Sequence, residues 1–423
     1  MLYYSKINSQ RGISNKELND ALIEIYQKLG NRKKVLAIPP DITRFYYQAG
    51  ILKQFTYQYY REKLTDILPS IGTHYPMTES EIKKMYGDIP VNLFRIHDWR
   101  NGLVTLGTVP SDYIKEISNG AVDYNIPIQV DKLLVEGNYD LILSIGQVVP
   151  HEVIGMANHN KNVFIGTGGA EGINKSHFLG AAYGMEKIMG RADTPVKRVL
   201  NYGSDHFAKH LPIIYILTVI GKDENNNLVV KGLFAGDDLE CFNLAAELSL
   251  KENFIMLDHP LKKVVVYLEP AEFKTTWLGN KSVYRTRMAI EDGGELIVLA
   301  PGLKEFGEDK GNDKIIRKYG YVDTPKVLEL VKENEDLQNS LGAAAHLIHG
   351  SSEGRFSITY CPGQISKEEI ESVNFKYADL NEMLKKYNPE ILKDGVNILP
   401  GGEEIFYISN PALGLWASKE RFF

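Results

Sequence analysis

The chain of 423 residues exceeds what one hydrophobic core usually organises, so two domains are expected. With 43% hydrophobic and 24% charged residues it has the balance of a globular protein, and a net charge of −6 gives no reason to expect nucleic acid or an anionic membrane as partner. Its two cysteines, Cys241 and Cys361, are too few for a disulfide framework and too far apart for a cysteine-based zinc site.

In chain order, the opening MLYYSKINSQRG lacks the apolar core of a secretory signal, which with the cysteine usage predicts a cytoplasmic protein. VLAIPP (35–40) predicts a strand with Asp41 and Arg44 at its end. ILPSIG (67–72) predicts a second, followed by His74 and then a helix opened by the capping box TESE (78–81). His97 and Asp98, in IHDW, read as a structural or supporting pair. DLILSIG (140–146) predicts a third strand, with His151 after it. LPIIYILTVIG (211–221) is too short to span a bilayer and reads as a buried strand, pairing across DENNN (223–227) with LVVKGLF (228–234) as a hairpin.

KKVVVYLEP (262–270) is another strand, and a boundary is placed near 271–275. Beyond it follow a helix around 282–291, the strand ELIVLA (295–300), a charged loop (307–314) and a helix at 325–333. The expected fold is α/β with two domains, 1–272 and 273–404, each a mainly parallel or mixed sheet flanked by helices, with the active site in the cleft between them. The aromatic tail 405–423 is expected to pack back on the first domain. Open sheets of this kind bind ligands at the carboxyl ends of their strands, where Asp41, Arg44, His74 and His151 fall.

The densest chemistry lies between His151 and His177: HEVIGMANHNKNVFIGTGGAEGINKSH. HEVIG begins like a zincin motif, but its fifth residue is Gly155 rather than histidine. GTGGAEG (166–172) is neither a P-loop nor a dinucleotide fingerprint. Beside Lys161 and His177, its Gly168 and Gly169 could form an anion-binding nest. His206 and His210 have the i, i+4 spacing of a helical metal chelate but no nearby acid. His346 and His349 are weaker candidates still. Asp41 reads equally well as a helix cap or as a partner for a ligand hydroxyl, and Arg44 suits an anion.

Taken in order, PPDITR (39–44), GTHYPMT (72–78), VPHEVIG (149–155) with Lys161, the glycine pair and His177 after it, and SVY (282–284) resemble the lactate racemase family of nickel-pincer enzymes over most of the chain. Most specific is the spacing: ten residues from His151 to Lys161 and sixteen more to His177. The resemblance implies an isomerase, a racemase or epimerase inverting the hydroxyl-bearing carbon of a 2-hydroxy acid by proton-coupled hydride transfer. It implies a cofactor too: a pyridinium thioamide/thiocarboxylate mononucleotide tethered to Lys161 and carrying nickel, with His177 completing the metal's coordination. His74 and His151 match the acid/base histidines on opposite faces of the substrate. Arg44 and Tyr284 match substrate contacts, and Asp41 a residue that holds the cofactor.

The sequence departs where family lactate racemases carry glutamine after that tyrosine and lysine four residues after it; here these are Arg285 and Met288. Arg285 or Arg287 could replace the lost charge, and Arg285 is taken as the substrate contact. The expected substrate is therefore not lactate but a larger 2-hydroxy acid, such as a sugar acid. Expected partners are that small molecule, the proteins that build the cofactor, and a second copy of the chain in a homodimer. Two other readings stay open. A nicotinamide-dependent 2-hydroxy acid dehydrogenase would need a GxGxxG turn that is missing here. A non-catalytic small-anion-binding protein would not need three histidines and a lysine in register.

Overall fold

Val35–Ile38 and Leu141–Gln147 are buried at every position, the pattern of strands covered on both faces. They are β2 and β4 of a six-stranded sheet completed by β1 (Leu2–Ile7), β3 (Leu64–Ile67), β5 (Ile213–Lys222) and β6 (Leu228–Gly236). The computed structural model describes residues 1–47, 49–225 and 227–423, without the side chains of residues 45–47, 49 and 413. Strand order is β1-β6-β5-β4-β2-β3. β5, β4, β2 and β3 run parallel, and β5 and β6 form the expected antiparallel hairpin, whose turn residue Asn226 lies outside the described residues.

The chain divides into two units: residues 1–179 with 189–253, and residues 180–188 with 254–423. In the first, helix α1 (Asn15–Leu29) buries Leu18, Leu22, Ile25, Tyr26 and Leu29 at helical spacing against residues of β2 and β4. Helices α2 (Ala49–Tyr60) and α3 (Glu79–Tyr86) follow β2 and β3. The predicted capping box opens α3: Glu81 N–H donates to Thr78 Oγ1, and Thr78 N–H donates to the Glu81 carboxylate. The second strand ends at Ile67, earlier than ILPSIG suggests, because Pro69 has no N–H to extend the ladder.

The second unit is built on another six-stranded sheet: β7 (Leu261–Tyr267), β8 (Ile290–Ala300), β9 (Ser357–Pro362), β10 (Lys376–Tyr377), β11 (Gly395–Ile398) and β12 (Glu404–Ile408). The order is β10-β9-β8-β7-β12-β11, parallel except for β11 against β12. The fold is thus α/β with two domains, but its division differs from expectation. The break falls at 253/254 rather than 272, because β7 lies in the middle of the second sheet between β8 and β12. The tail belongs to the second unit: β12 pairs with β7, and Trp416–Ser418 pairs with Ile255–Leu257.

The helix expected at 282–291 stops at Tyr284. The carbonyls of Arg285 and Met288 accept from Trp416 N–H and Ser418 N–H instead, both at 3.0 Å, so the tail claims the groups a longer helix would use. Residues 310–314 of the expected charged loop are helical, because Asp309 caps Lys310–Tyr319. Among the described residues no helix is long and apolar enough to cross a membrane.

Candidate active site

The first sheet reverses its winding at β2: β3 lies on one side and β4 on the other. A crevice opens at such a switch point beyond the carboxyl ends of the strands. Asp41 stands there three residues after β2, and the segment Pro150–His151 follows β4.

Asp41 is buried, with 2% of its surface exposed. His74 Nδ1 donates to its Oδ2 at 3.0 Å, Arg44 Nη1 to its Oδ1 at 3.2 Å, and the Thr43 hydroxyl also donates to Oδ1. Burial alone would raise the Asp41 carboxyl. The His74 and Thr43 hydrogen bonds and the Arg44 charge outweigh it and hold the group below the usual carboxylate range. The His74 side chain, by contrast, is 55% exposed. With Nδ1 donating to a carboxylate, Nε2 is the nitrogen left for a ligand.

His151 pairs antiparallel with Gly155 across a tight turn. Gly155 adopts φ +92°, which a histidine would rarely take, so the zincin reading fails on geometry as well as on sequence. The Val153 N–H donates to His151 Nδ1 at 3.1 Å, so the neutral ring carries its proton on Nε2. Burial pushes His151 well below its usual pKa, with Lys161, His177 and Arg44 adding to the effect and Glu152 opposing it.

Lys161 lies on α4 (Asn160–Phe164) and His177 on α5 (Ala170–Tyr183). Burial and the Arg44 charge push the Lys161 ammonium down to about 8, against Glu152 and Asp41. Burial and the Lys161 charge push His177 down to about 4. Its Nδ1 donates to the Ile173 carbonyl one turn back at 2.7 Å, leaving the Nε2 lone pair for a ligand. His151 is therefore near enough to feel Arg44, Lys161 and His177, Lys161 to feel Arg44, and His177 to feel Lys161. Among the described residues, no three or more His, Cys, Asp and Glu converge as a metal cluster.

The other predicted residues fall elsewhere or have packing reasons. A Cβ on Gly168 would meet the Phe164 carbonyl oxygen at 1.9 Å, and one on Gly169 the Gln129 Oε1 at 2.3 Å, so both glycines serve the protein's own close packing. His97 takes its structural role: Nδ1 contacts Asp131 at 2.8 Å and Nε2 the Gly168 carbonyl at 3.0 Å, pinning the glycine loop. Tyr284 and Arg285 lie in the second unit. Tyr284 is buried, and Arg285 Nη1 donates to the Gly414 carbonyl at 3.3 Å. Met288 is fully buried and bridges Ala417, while Arg287 pairs with Glu186 and Glu353. His210 lies beyond the end of helix α6 (Pro195–Phe207), so it forms no helical chelate with His206. His346 is buried, with Nε2 3.0 Å from the Tyr321 hydroxyl.

Sequence reasoning missed the asparagines around Lys161. Asn160 and Asn162 are buried and hydrogen-bonded on both sides of it, and Asn158 packs where a Cβ of Gly146 would stand. The signal was present in NHNKN: amide side chains repeated inside an otherwise apolar region.

Residues 12–188 match the family described as Lactate racemase N-terminal domain. That stretch of the chain is similar to the lactate racemase family's N-terminal domain. A crystal structure of a Thermotoga maritima protein from a structural-genomics consortium is similar at 25% identity, covering 98% of this chain and 100% of that one, with a TM-score of 0.80. The lactate racemase apoprotein from Thermoanaerobacterium thermosaccharolyticum is similar at 18% identity, covering 96% and 94%, with a TM-score of 0.72, and shows the shared fold. No curated protein matches the chain.

Proposed function

We propose that the protein is a racemase or epimerase of 2-hydroxy acids that works with a nickel-pincer nucleotide tethered to Lys161. The observation that carries this reading is the proximity of Arg44, Lys161 and His177 to His151, just after β4, in a unit similar to the lactate racemase N-terminal domain. The donor set fits the group. Lys161 is an amine depressed toward reactivity, and His177 offers a single Nε2, as suits a metal whose other ligands come with the cofactor. When bound, the cofactor supplies a hydride acceptor for the substrate's C2.

The chain's own residues do the rest. Arg44, fixed on Asp41 but still partly exposed, binds the substrate carboxylate. His74, oriented by Asp41, is ready to take a hydroxyl proton at Nε2. His151 has its Nδ1 occupied by the Val153 N–H, so any proton it exchanges with the substrate passes at Nε2. Inversion through a planar keto acid requires a proton acceptor on one face and a proton donor on the other, and the two histidines are assigned these places. Tyr284 and Arg285 of the second unit are assigned substrate-side roles, and Arg285 favours an acid larger than lactate, such as a sugar acid. We assign Asp41, Gly168 and Gly169 to the cofactor's surroundings. A cytoplasmic location, dependence on cofactor-building proteins and a homodimer belong to the same proposal.

The test is an intact-mass and nickel measurement on protein from a host that makes the cofactor. A covalent adduct lost in Lys161→Ala, with nickel lost in His177→Ala, supports the reading. A nickel-free, unmodified but active enzyme overturns it. A panel of 2-hydroxy acids then sets the substrate, and turnover of lactate at least as fast as every longer acid would sink the larger-acid assignment.

A further inference from the structure

The short helix that carries Lys161 is held from both sides. Asn162 Nδ2 donates to the Ile38 carbonyl at the end of β2 and to Ser144 Oγ on β4, each at 3.0 Å. Its Oδ1 accepts from Ser70 Oγ, beyond β3, at 2.6 Å. One side chain thus ties together the end of β2, the middle of β4 and the segment beyond β3. On the other side Asn160, fully buried, donates to Asn201 Oδ1 at 2.8 Å and Ser204 Oγ at 3.3 Å, and accepts from Lys197 Nζ at 2.7 Å. Lys197 is itself buried, with its Nζ 3.1 Å from His159 Nδ1 and 3.7 Å above the Phe242 ring.

The chain enters this segment through two consecutive non-glycine residues in the left-handed region, Asn158 at φ 69° and His159 at φ 59°. Such a turn persists only where its surroundings over-determine it. Burying this many amide groups costs stability unless every one is satisfied. A lysine with a merely solvated role needs none of it. A lysine side chain has four rotatable bonds, so where its amine stands depends on how firmly its backbone is held.

We propose that Asn162, backed by Asn160 and Lys197, is a positioning residue that fixes the Lys161 amine in register with β2, β4 and the segment that follows β3. The inference rests on Lys161 being the reactive amine of the proposed function. Asn162 touches neither substrate nor cofactor in this role and acts through Lys161. The charged and titratable groups facing that amine are Arg44, Glu152 and Asp41, with His151 and His177 beside them. Losing the register changes its distance from all of them.

The experiment labels the full-length apoprotein with trinitrobenzenesulfonate across a pH series and follows the Lys161 peptide by mass spectrometry. The plateau rate reports access to the amine, and the pH midpoint reports its surroundings. Wild type is expected to turn over near the depressed value of about 8. Asn162→Leu is expected to raise the midpoint by about one unit toward an ordinary lysine. Ser70→Ala, which removes one hydrogen bond to Asn162, is the milder variant and is expected to shift it the same way by less. Thr56→Val removes a buried hydroxyl bonded to Leu52 and Tyr26. It should lower the melting temperature and leave the midpoint alone. Folded Asn162→Leu and Ser70→Ala proteins that both titrate like wild type would overturn the proposal, and Ser70→Ala decides alone if Asn162→Leu does not fold. Because the labelling reads the apoprotein, it stands apart from the adduct measurement: a missing adduct counts against the proposed function, an unmoved midpoint against the role of Asn162.

Discussion

His74 Nδ1 lies 3.0 Å from Asp41 Oδ2, so a half-exposed imidazole is anchored on a buried carboxylate. The carboxylate fixes both the direction of the ring and the nitrogen that carries its proton. Asp41→Asn would put an amide N–H or carbonyl where a carboxylate now accepts, freeing the ring to take the wrong tautomer. Turnover of the loaded enzyme should fall by about 10²-fold or more, the scale of a general acid/base contribution. Nitrogen-15 spectra should show the His74 proton on Nδ1 and the His151 proton on Nε2 in wild type, and only the His74 pattern should change in the variant.

The His177 shift makes a statement about acid stability. Its pKa is about 4 in the folded protein, below its ordinary 6.5, so the unfolded chain binds the proton first. The stability held by the neutral ring is complete above pH 6.5 and is lost as pH falls through the window down to 4. Melting temperatures of the apoprotein measured from pH 7 to pH 4.5 should decline more steeply for wild type than for His177→Gln. Parallel curves would show that the ring titrates normally.

Gly168 and Gly169 can be separated by the neighbour each would strike. An added Cβ at Gly168 meets backbone, the Phe164 carbonyl oxygen at 1.9 Å, whereas at Gly169 it meets the end of a side chain, Gln129 Oε1 at 2.3 Å. Gly168→Ala should therefore cost about 3 kcal/mol or more, and Gly169→Ala about 1 kcal/mol, by chemical denaturation. Gln129→Ala should recover part of the Gly169→Ala loss, the Leu103 Cδ1 contact at 2.7 Å remaining, and none of the Gly168→Ala loss.

In the second unit, Arg287 is 2% exposed and lies between Glu186 at 3.3 Å and Glu353 at 3.5 Å. Arg355 also pairs with Glu186, at 2.8 Å. Removing the buried guanidinium leaves Glu353 without this partner, while Glu186 keeps Arg355. Arg287→Met should destabilise by about 3 kcal/mol in urea denaturation, the range for breaking a buried pair from one side. A change below about 0.5 kcal/mol would place the pair among weak surface contacts.

Much of the first unit was legible because its signals are local. The apolar runs at 35–38 and 141–147, the turn between 221 and 228, and the Thr78–Glu81 box depend on near neighbours in the chain. Strand ends could be read too, since Asp41 and His151 mark where apolar sequence stops. The domain break was not legible: Leu261–Tyr267 looks the same on paper whether it closes the first sheet or centres the second, and only its partners β8 and β12 decide. The early end of the helix at Tyr284 likewise depends on hydrogen bonds from Trp416 and Ser418, more than a hundred residues away.

The order of residues in this chain determined which side chains with reactive chemistry exist, and which lie at strand ends, because strand periodicity and turn residues act over a few positions. Tertiary structure alone decided what each of them faces. Asp41 became the support of His74, and the Lys161 helix was tied through Asn162 to β2, β4 and the segment after β3. Hydrogen-bond partners and burial set tautomer and charge, and both come from parts of the chain that sequence spacing does not bring together.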